Sequence, residues 1–120
     1  MLAQDFPSVE YWVIDGGSTD GSLEILQSFG DQIQFISEPD RGIYDAMNKG
    51  LARLTGDVIG MIGADDFYPS NDVISSVVKE FNLHHVDVVY GDKQYVNPED
   101  PHKIVPVSYT HLTLPTKRIV

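Results

Sequence analysis

Cysteine is absent from this 120-residue chain and basic residues are scarce: 8 Lys and Arg stand against 18 Asp and Glu, a formal net charge of -10. Without cysteine there is no disulfide framework, thiolate metal site or thiol nucleophile. The acidic balance argues against a nucleic-acid partner, because binding to that backbone rests on clustered Lys and Arg. No apolar run approaches the roughly 20 residues of a membrane-spanning helix, and the first residues lack the features of a signal peptide. We therefore expect one domain that is cytoplasmic or peripheral to the inner face of the membrane.

Apolar residues alternate along the chain between strand-like and helix-like spacing. Short apolar runs predict strands at residues 9–14, 33–36, 58–62 and 86–90. Between these runs, apolar residues that recur every three or four positions predict three helices. Their apolar faces are Leu23, Leu26 and Phe29; Ile43, Met47, Leu51 and Leu54; and Val73, Val77, Val78 and Phe81. Three such alternations with short links predict an α/β fold with a mainly parallel sheet and flanking helices. Residues 97–101 are expected to form a loop.

The two ends of the chain differ from its middle. The first strand starts after only a few residues, so we expect a preceding strand and helix in a longer parent protein. Residues 107–120 contain no acid, carry Lys117 and Arg118, and resemble translated sequencing-adapter read-through; the alternative is a threonine-rich edge strand at 111–114. We therefore predict a domain at 1–106 that is truncated at both ends, followed by a non-native tail at 107–120.

Three polar loops, at residues 15–21, 38–42 and 64–66, each follow a predicted strand. Parallel topology predicts that the three loops meet at one edge of the sheet, and because ligands of an open α/β sheet bind beyond the carboxyl ends of its strands, this edge is the candidate site. The glycine-rich first loop matches neither a P-loop, nor a dinucleotide fingerprint, nor an EF-hand, and a plain tight turn is its alternative. Arg41 in the second loop is placed to meet a phosphate or a base carbonyl, or to pair with Asp40 or Glu38.

Asp65 and Asp66 are adjacent carboxylates after an apolar run. Like charges at such short range are costly unless a positive group lies near them. Mg²⁺ takes one or two carboxylates plus substrate phosphates, which makes a divalent cation a natural partner; the alternative is that the pair only caps the following helix. Elsewhere, Lys49 is expected on a solvated helix face, and His84 and His85 at the surface.

Residues 13–22, 38–50 and 56–69, taken together and in this order, resemble family 2 glycosyltransferases. The resemblance implies a GT-A fold, a nucleotide-diphosphate-sugar donor, which is usually a UDP-sugar, and a saccharide or lipid-linked saccharide acceptor. It further implies metal-dependent transfer with inversion, as in polysaccharide biosynthesis. Two alternatives stay open at this point: a sugar nucleotidyltransferase, and a non-catalytic module that binds a nucleotide or a cation.

The resemblance also implies roles for individual residues. Asp15 would hydrogen-bond the nucleobase, Asp65 would face the ribose, and Asp66 would ligate Mn²⁺ or Mg²⁺. Arg41 lies in the loop that family members place beside the nucleotide. Gly63 departs from the family pattern, since many members carry Asp or Asn at that position. The family's catalytic base belongs to a later acceptor-binding segment with no counterpart here, so the catalytic residue is unknown and the chain is expected to be a fragment.

Overall fold

The computed structural model describes residues 1–105. The chain divides into two compact units, residues 1–75 and residues from 76 onward. The first holds strands β1 (Trp12–Asp15) and β2 (Gln34–Ser37), helices α1 (Ser22–Ser28) and α2 (Ile43–Leu51), and a 3-10 turn (Gly30–Gln32). Helix α3 (Val73–His84) contains the boundary, and the second unit holds β3 (Val96–Asn97) and β4 (Asp100–Ile104). Among these residues no helix has the length and apolar character needed to cross a membrane.

Strands β1 and β2 pair in parallel, with α1 in the connection between them. The register runs from Trp12 opposite Gln34 to Asp15 opposite Ser37. Both carboxyl ends therefore lie side by side, and each is followed by one of the polar loops. The prediction of an α/β unit with parallel pairing is confirmed, and the strands begin three residues and one residue after the starts of the apolar runs that predicted them.

Helix α2 packs against β1 and approaches it closely at a glycine that the predicted apolar face does not include. Gly50 is buried, and a Cβ added there would lie 3.4 Å from Cγ1 of Ile14. Ile43 and Leu51, predicted on the buried face, are 66% and 41% exposed. Met47 and Leu54 of the same predicted face are half-buried. The helix was therefore predicted correctly and its buried face only in part, because the missing side chain of Gly50 lets the backbone approach the strand closely there.

Two predicted strands are wrong. Residues 58–62 and 86–90 form no strand, because neither segment has a pairing partner among residues 1–105, where each sheet has two strands. Val58, Ile59 and Met61 are 44%, 48% and 53% exposed. The apolar pattern in each run is present, but a strand also needs a neighbouring backbone for its hydrogen bonds, and that neighbour is not encoded locally.

The predicted loop at 97–101 is also only partly correct. Residues from Asp100 onward belong to β4, which pairs antiparallel with β3, Val96 opposite Ile104 and Asn97 opposite Asp100. The backbone N–H of Glu99 donates to the side-chain oxygen of Asn97 at 2.8 Å, which tightens the turn between the two strands. An asparagine that accepts from the backbone two residues on is a common device in such turns.

The first turn of α3 is held by the beginning of the chain. Gln4 donates through its Nε2 to the carbonyl oxygen of Ser70 at 2.6 Å, and its Oε1 accepts from the backbone N–H of Ile74 at 2.9 Å. The N–H of Asp5 donates to the carbonyl oxygen of Asn71 at 2.8 Å. Gln4 thereby satisfies an N–H that the helix itself leaves without a partner.

Candidate functional site

Asp15, the last residue of β1, accepts four hydrogen bonds. Its Oδ2 accepts from the N–H groups of Gly17 at 3.1 Å and Ser18 at 2.9 Å, and from the hydroxyl of Ser37 at 2.6 Å. The Ser18 hydroxyl donates to Oδ1. The carboxylate thus organises the glycine-rich loop and links it to β2. Sequence reasoning missed this role; a serine three residues after an aspartate is its local signal.

These hydrogen bonds favour the ionised carboxylate. The Ser18 hydroxyl contributes most, followed by the Ser37 hydroxyl and the Ser18 N–H, and together they lower the pKa of Asp15 from 3.8 to about 2 against a smaller opposing effect of burial. Asp15 therefore carries a fixed negative charge, at a set orientation, at the carboxyl end of the parallel pair.

The loops after β1 and β2 touch each other at two glycines. A Cβ added at Gly16 would lie 2.8 Å from Oδ2 of Asp40, so the carboxylate of the second loop occupies the space above this glycine. Gly17 has a φ of 86°, and a Cβ there would lie 3.5 Å from the nitrogen of Pro39. A residue with a side chain would be strained at that φ as well as crowded. The predicted meeting of these two loops is confirmed.

Hydrogen bonds to nearby carboxylates fix the backbone around Arg41. Its N–H donates to Oδ2 of Asp45 at 3.0 Å, and the N–H of Gly42 donates to Oδ1 of Asp40 at 2.9 Å. Within residues 1–105 the Arg41 guanidinium makes no ion pair. The alternative in which it pairs with Asp40 or Glu38 is wrong.

Lys49, rather than Arg41, forms the ion pair with Glu38. Its Nζ donates to the carbonyl oxygen of Pro39 at 2.8 Å and lies 3.2 Å from Oε1 of Glu38 and 3.7 Å from Oδ2 of Asp45. Its side chain is only 21% exposed, so the prediction of a solvated helix face is wrong here. Lys49 ties α2 to the loop after β2, and no local pattern signals a contact ten residues away.

Asp65 and Asp66 lie in a turn that Gly63 begins. The N–H of Asp66 donates to the Gly63 carbonyl oxygen at 3.1 Å. A Cβ added at Gly63 would lie 3.0 Å from Oδ2 of Asp66 and 3.2 Å from Oδ1 of Asp65. Both carboxylates therefore border the space that a side chain at position 63 would fill.

This pair fits a hard cation that is shared with a substrate. Carboxylate oxygens are ligands that Mg²⁺ accepts, and it often takes one or two of them while substrate oxygens and water complete its shell. Residues 1–105 hold no group of three or more His, Asp or Glu that could bind a metal. The described residues therefore do not contain a metal site in which such side chains supply all the ligands.

The third loop does not join the first two through the sheet. Because residues 58–62 form no strand beside β1, the pairing does not carry Asp65 and Asp66 to the edge where Asp15 lies. The prediction that all three loops follow neighbouring strands at one edge of the sheet is confirmed for the first two loops only.

Comparison with known proteins decides the family. Residues 1–118 match the sequence profile of Glycosyl transferase family 2. The chain belongs to this family. A "PGL/p-HBAD biosynthesis glycosyltransferase" of Mycobacterium tuberculosis is 38% identical over 88 residues, which cover 69% of this chain and 34% of the relative. An uncharacterized glycosyltransferase of Nostoc sp. is 28% identical over 108 residues, covering 81% of this chain and 33% of the relative.

The family 2 chain spans about a third of the length of these curated relatives. No solved structure matches it. Membership confirms the classification as a glycosyltransferase and the GT-A type of α/β fold. The predicted tail at 107–120 lies outside the described residues, and the family match runs to residue 118.

Proposed function

We propose that this chain forms the donor-binding part of a metal-dependent, inverting glycosyltransferase that uses a UDP-sugar. The acceptor in this proposal is a saccharide or a lipid-linked saccharide. The observation that carries it is the ionised, hydrogen-bonded Asp15 beside the Arg41 loop, at the carboxyl end of a parallel strand pair, in a chain of this family. Because the chain spans a third of its relatives, the activity of the whole protein is part of the proposal.

The first two loops supply two complementary contacts for a nucleotide diphosphate. Asp15 is an acceptor held in its charged form, suited to an N–H of the nucleobase. Arg41 offers a planar set of donors that matches phosphate oxygens, and its guanidinium is not engaged in an ion pair within the described residues. The overall charge of -10 would otherwise repel a diphosphate. The positive charge of Arg41 at this edge would offset part of that repulsion.

Asp65 and Asp66 are the residues we propose to hold Mn²⁺ or Mg²⁺, with Asp65 turned to the ribose. The support is the space at Gly63 that both carboxylates border. A bound cation would neutralise charge on the diphosphate leaving group as the anomeric bond breaks. The chain's own part is to bind and orient the donor, and no residue of this chain is assigned as the catalytic base.

Calorimetric titration of UDP into the chain, with and without Mn²⁺, tests the proposal. We expect binding that depends on the metal and is lost in Asp66→Ala. Asp57→Ala is the matched control, because it removes the same charge from an exposed position outside the turn and should leave UDP affinity unchanged. Metal binding that is indifferent to UDP would instead support the non-catalytic module. The anomeric configuration of the parent protein's product, read by NMR, tests inversion.

A further inference from the structure

Ser37 lies opposite Asp15 in the parallel strand pair, and its hydroxyl donates to Oδ2 of Asp15 at 2.6 Å. The remaining donors to this carboxylate are Gly17 and Ser18, which belong to the loop that Asp15 itself begins. Ser37 is thus the donor that comes from a different strand. It fixes the carboxylate relative to the sheet, whereas the loop donors would move together with it.

The two oxygens of Asp15 are used unequally. Oδ2 accepts three of the four hydrogen bonds and Oδ1 accepts one. Since each carboxylate oxygen has about two lone-pair positions, Oδ1 keeps one for a ligand while Oδ2 has none to spare. The terminal torsion of an aspartate is broad, so which oxygen faces outward depends on the donors that hold the other one.

We propose that Ser37 is a positioning residue for nucleobase recognition: it holds Oδ2 of Asp15 so that Oδ1 is presented to the imide N–H of a uracil-type base. This inference rests on the proposed binding of a nucleotide donor at Asp15. The uracil base is taken from the proposed donor, and the chemistry agrees with it: a fixed carboxylate acceptor suits the N3–H of uracil and opposes the unprotonated N3 of cytosine.

Loss of the Ser37 hydroxyl should act locally. The β1–β2 pairing is made by the backbone, and three hydrogen bonds to Asp15 remain in the loop. We expect Ser37→Ala to fold and to bind UDP about tenfold more weakly, the size of effect typical for one hydrogen bond to a charged group. Affinity for CDP should change less, so the preference for UDP over CDP falls.

A threonine and valine pair at position 37 sharpens the test. Both are β-branched and suit a strand, and they differ only in the hydroxyl, so any effect of packing is shared. Ser37→Thr should keep the affinity and base preference of the unaltered chain, and Ser37→Val should behave as Ser37→Ala. Ser28→Ala is the control for hydroxyl loss, because the Ser28 hydroxyl donates to the carbonyl oxygen of Ile25 within the region of α1.

The measurement is calorimetric titration of UDP and of CDP, each with Mn²⁺, into the full chain and these variants, with Asp15→Ala as reference. Weaker UDP binding and a reduced UDP-to-CDP preference in both Ser37→Ala and Ser37→Val, restored in Ser37→Thr, support the inference. Unchanged affinity and preference in Ser37→Val, while Asp15→Ala loses UDP, overturn it and leave the proposed function standing. Failure of the unaltered chain to bind UDP refutes the proposed function and this inference with it.

Discussion

Replacement of Asp15 by asparagine tests how far this carboxylate stabilises the fold. The substitution keeps the shape of the side chain but removes its charge and turns one acceptor oxygen into a donor. The lowering of the Asp15 pKa from 3.8 to about 2 corresponds to at most about 2 kcal/mol of folding free energy. Because the carboxylate of this half-buried residue faces solvent, screening reduces this to about 1 kcal/mol. We expect Asp15→Asn to lose about 1–2 kcal/mol at neutral pH once the mismatched donor is included.

The pH dependence of this loss has a definite sign. The pKa of Asp15 is lower in the folded chain than in the unfolded one, so ionisation favours folding. That stabilisation is complete above the unfolded pKa of about 3.8 and disappears as the pH falls through about 2. The stability difference between the unaltered chain and Asp15→Asn should therefore be constant from neutral pH to about pH 5 and shrink steadily below about pH 4.

Urea unfolding followed by circular dichroism, repeated from about pH 7 to about pH 2, measures this difference. Asp31→Asn is the matched control, since it removes one negative charge from an exposed turn. The control should stay within about 0.5 kcal/mol of the unaltered chain at neutral pH. A loss in Asp15→Asn that is equal to the control, or one that persists unchanged to pH 2, would refute the assigned role of the carboxylate.

Substitutions at three further positions test separate contacts. Gln4→Ala should lower the free energy of unfolding by about 1 kcal/mol, because the first turn of α3 loses its cap; Gln4→Glu, which keeps an acceptor, should lose less in the same urea experiment. Gly50→Leu should cost about 1–3 kcal/mol by overpacking against Ile14, and a thermal midpoint equal to that of the unaltered chain would contradict the close contact. Gly63→Ala should weaken Mn²⁺ binding about tenfold, since its Cβ enters the space between the two carboxylates; unchanged manganese affinity by calorimetry would contradict a cation there.

The parts of the fold that depend on local pattern could be predicted. The three helices and the first two strands follow from residue spacing, and the loops after β1 and β2 follow from glycine, proline and aspartate content. Asp15 and Arg41 were placed at this edge by the same reasoning. Their roles as a base acceptor and a phosphate contact stay predictions, as do the roles of Asp65 and Asp66 and the cytoplasmic location.

The parts that depend on distant contacts could not be predicted. Ser37 reaches Asp15 across 22 positions, and Lys49 reaches Pro39 across ten. The apolar run at 58–62 has the composition of a strand, yet pairing depends on a neighbouring backbone that no residue in the run specifies. Gly50 reads as a weak point in a helix, whereas its lack of a side chain is what brings α2 onto β1.

The contact between Gln4 and the first turn of α3 has a consequence for the time course of synthesis. Its two hydrogen bonds join residues 66 and 70 positions apart. At roughly 5–20 residues per second, Gln4 leaves the peptidyl-transferase centre several seconds before its partners are made. During that interval the β1–β2 unit can form from residues that are already present, whereas the hydrogen bonds between Gln4 and the start of α3 cannot. The order in which the ribosome delivers the chain therefore favours the β1–β2 pair as the earlier structure, and α3 as a later one.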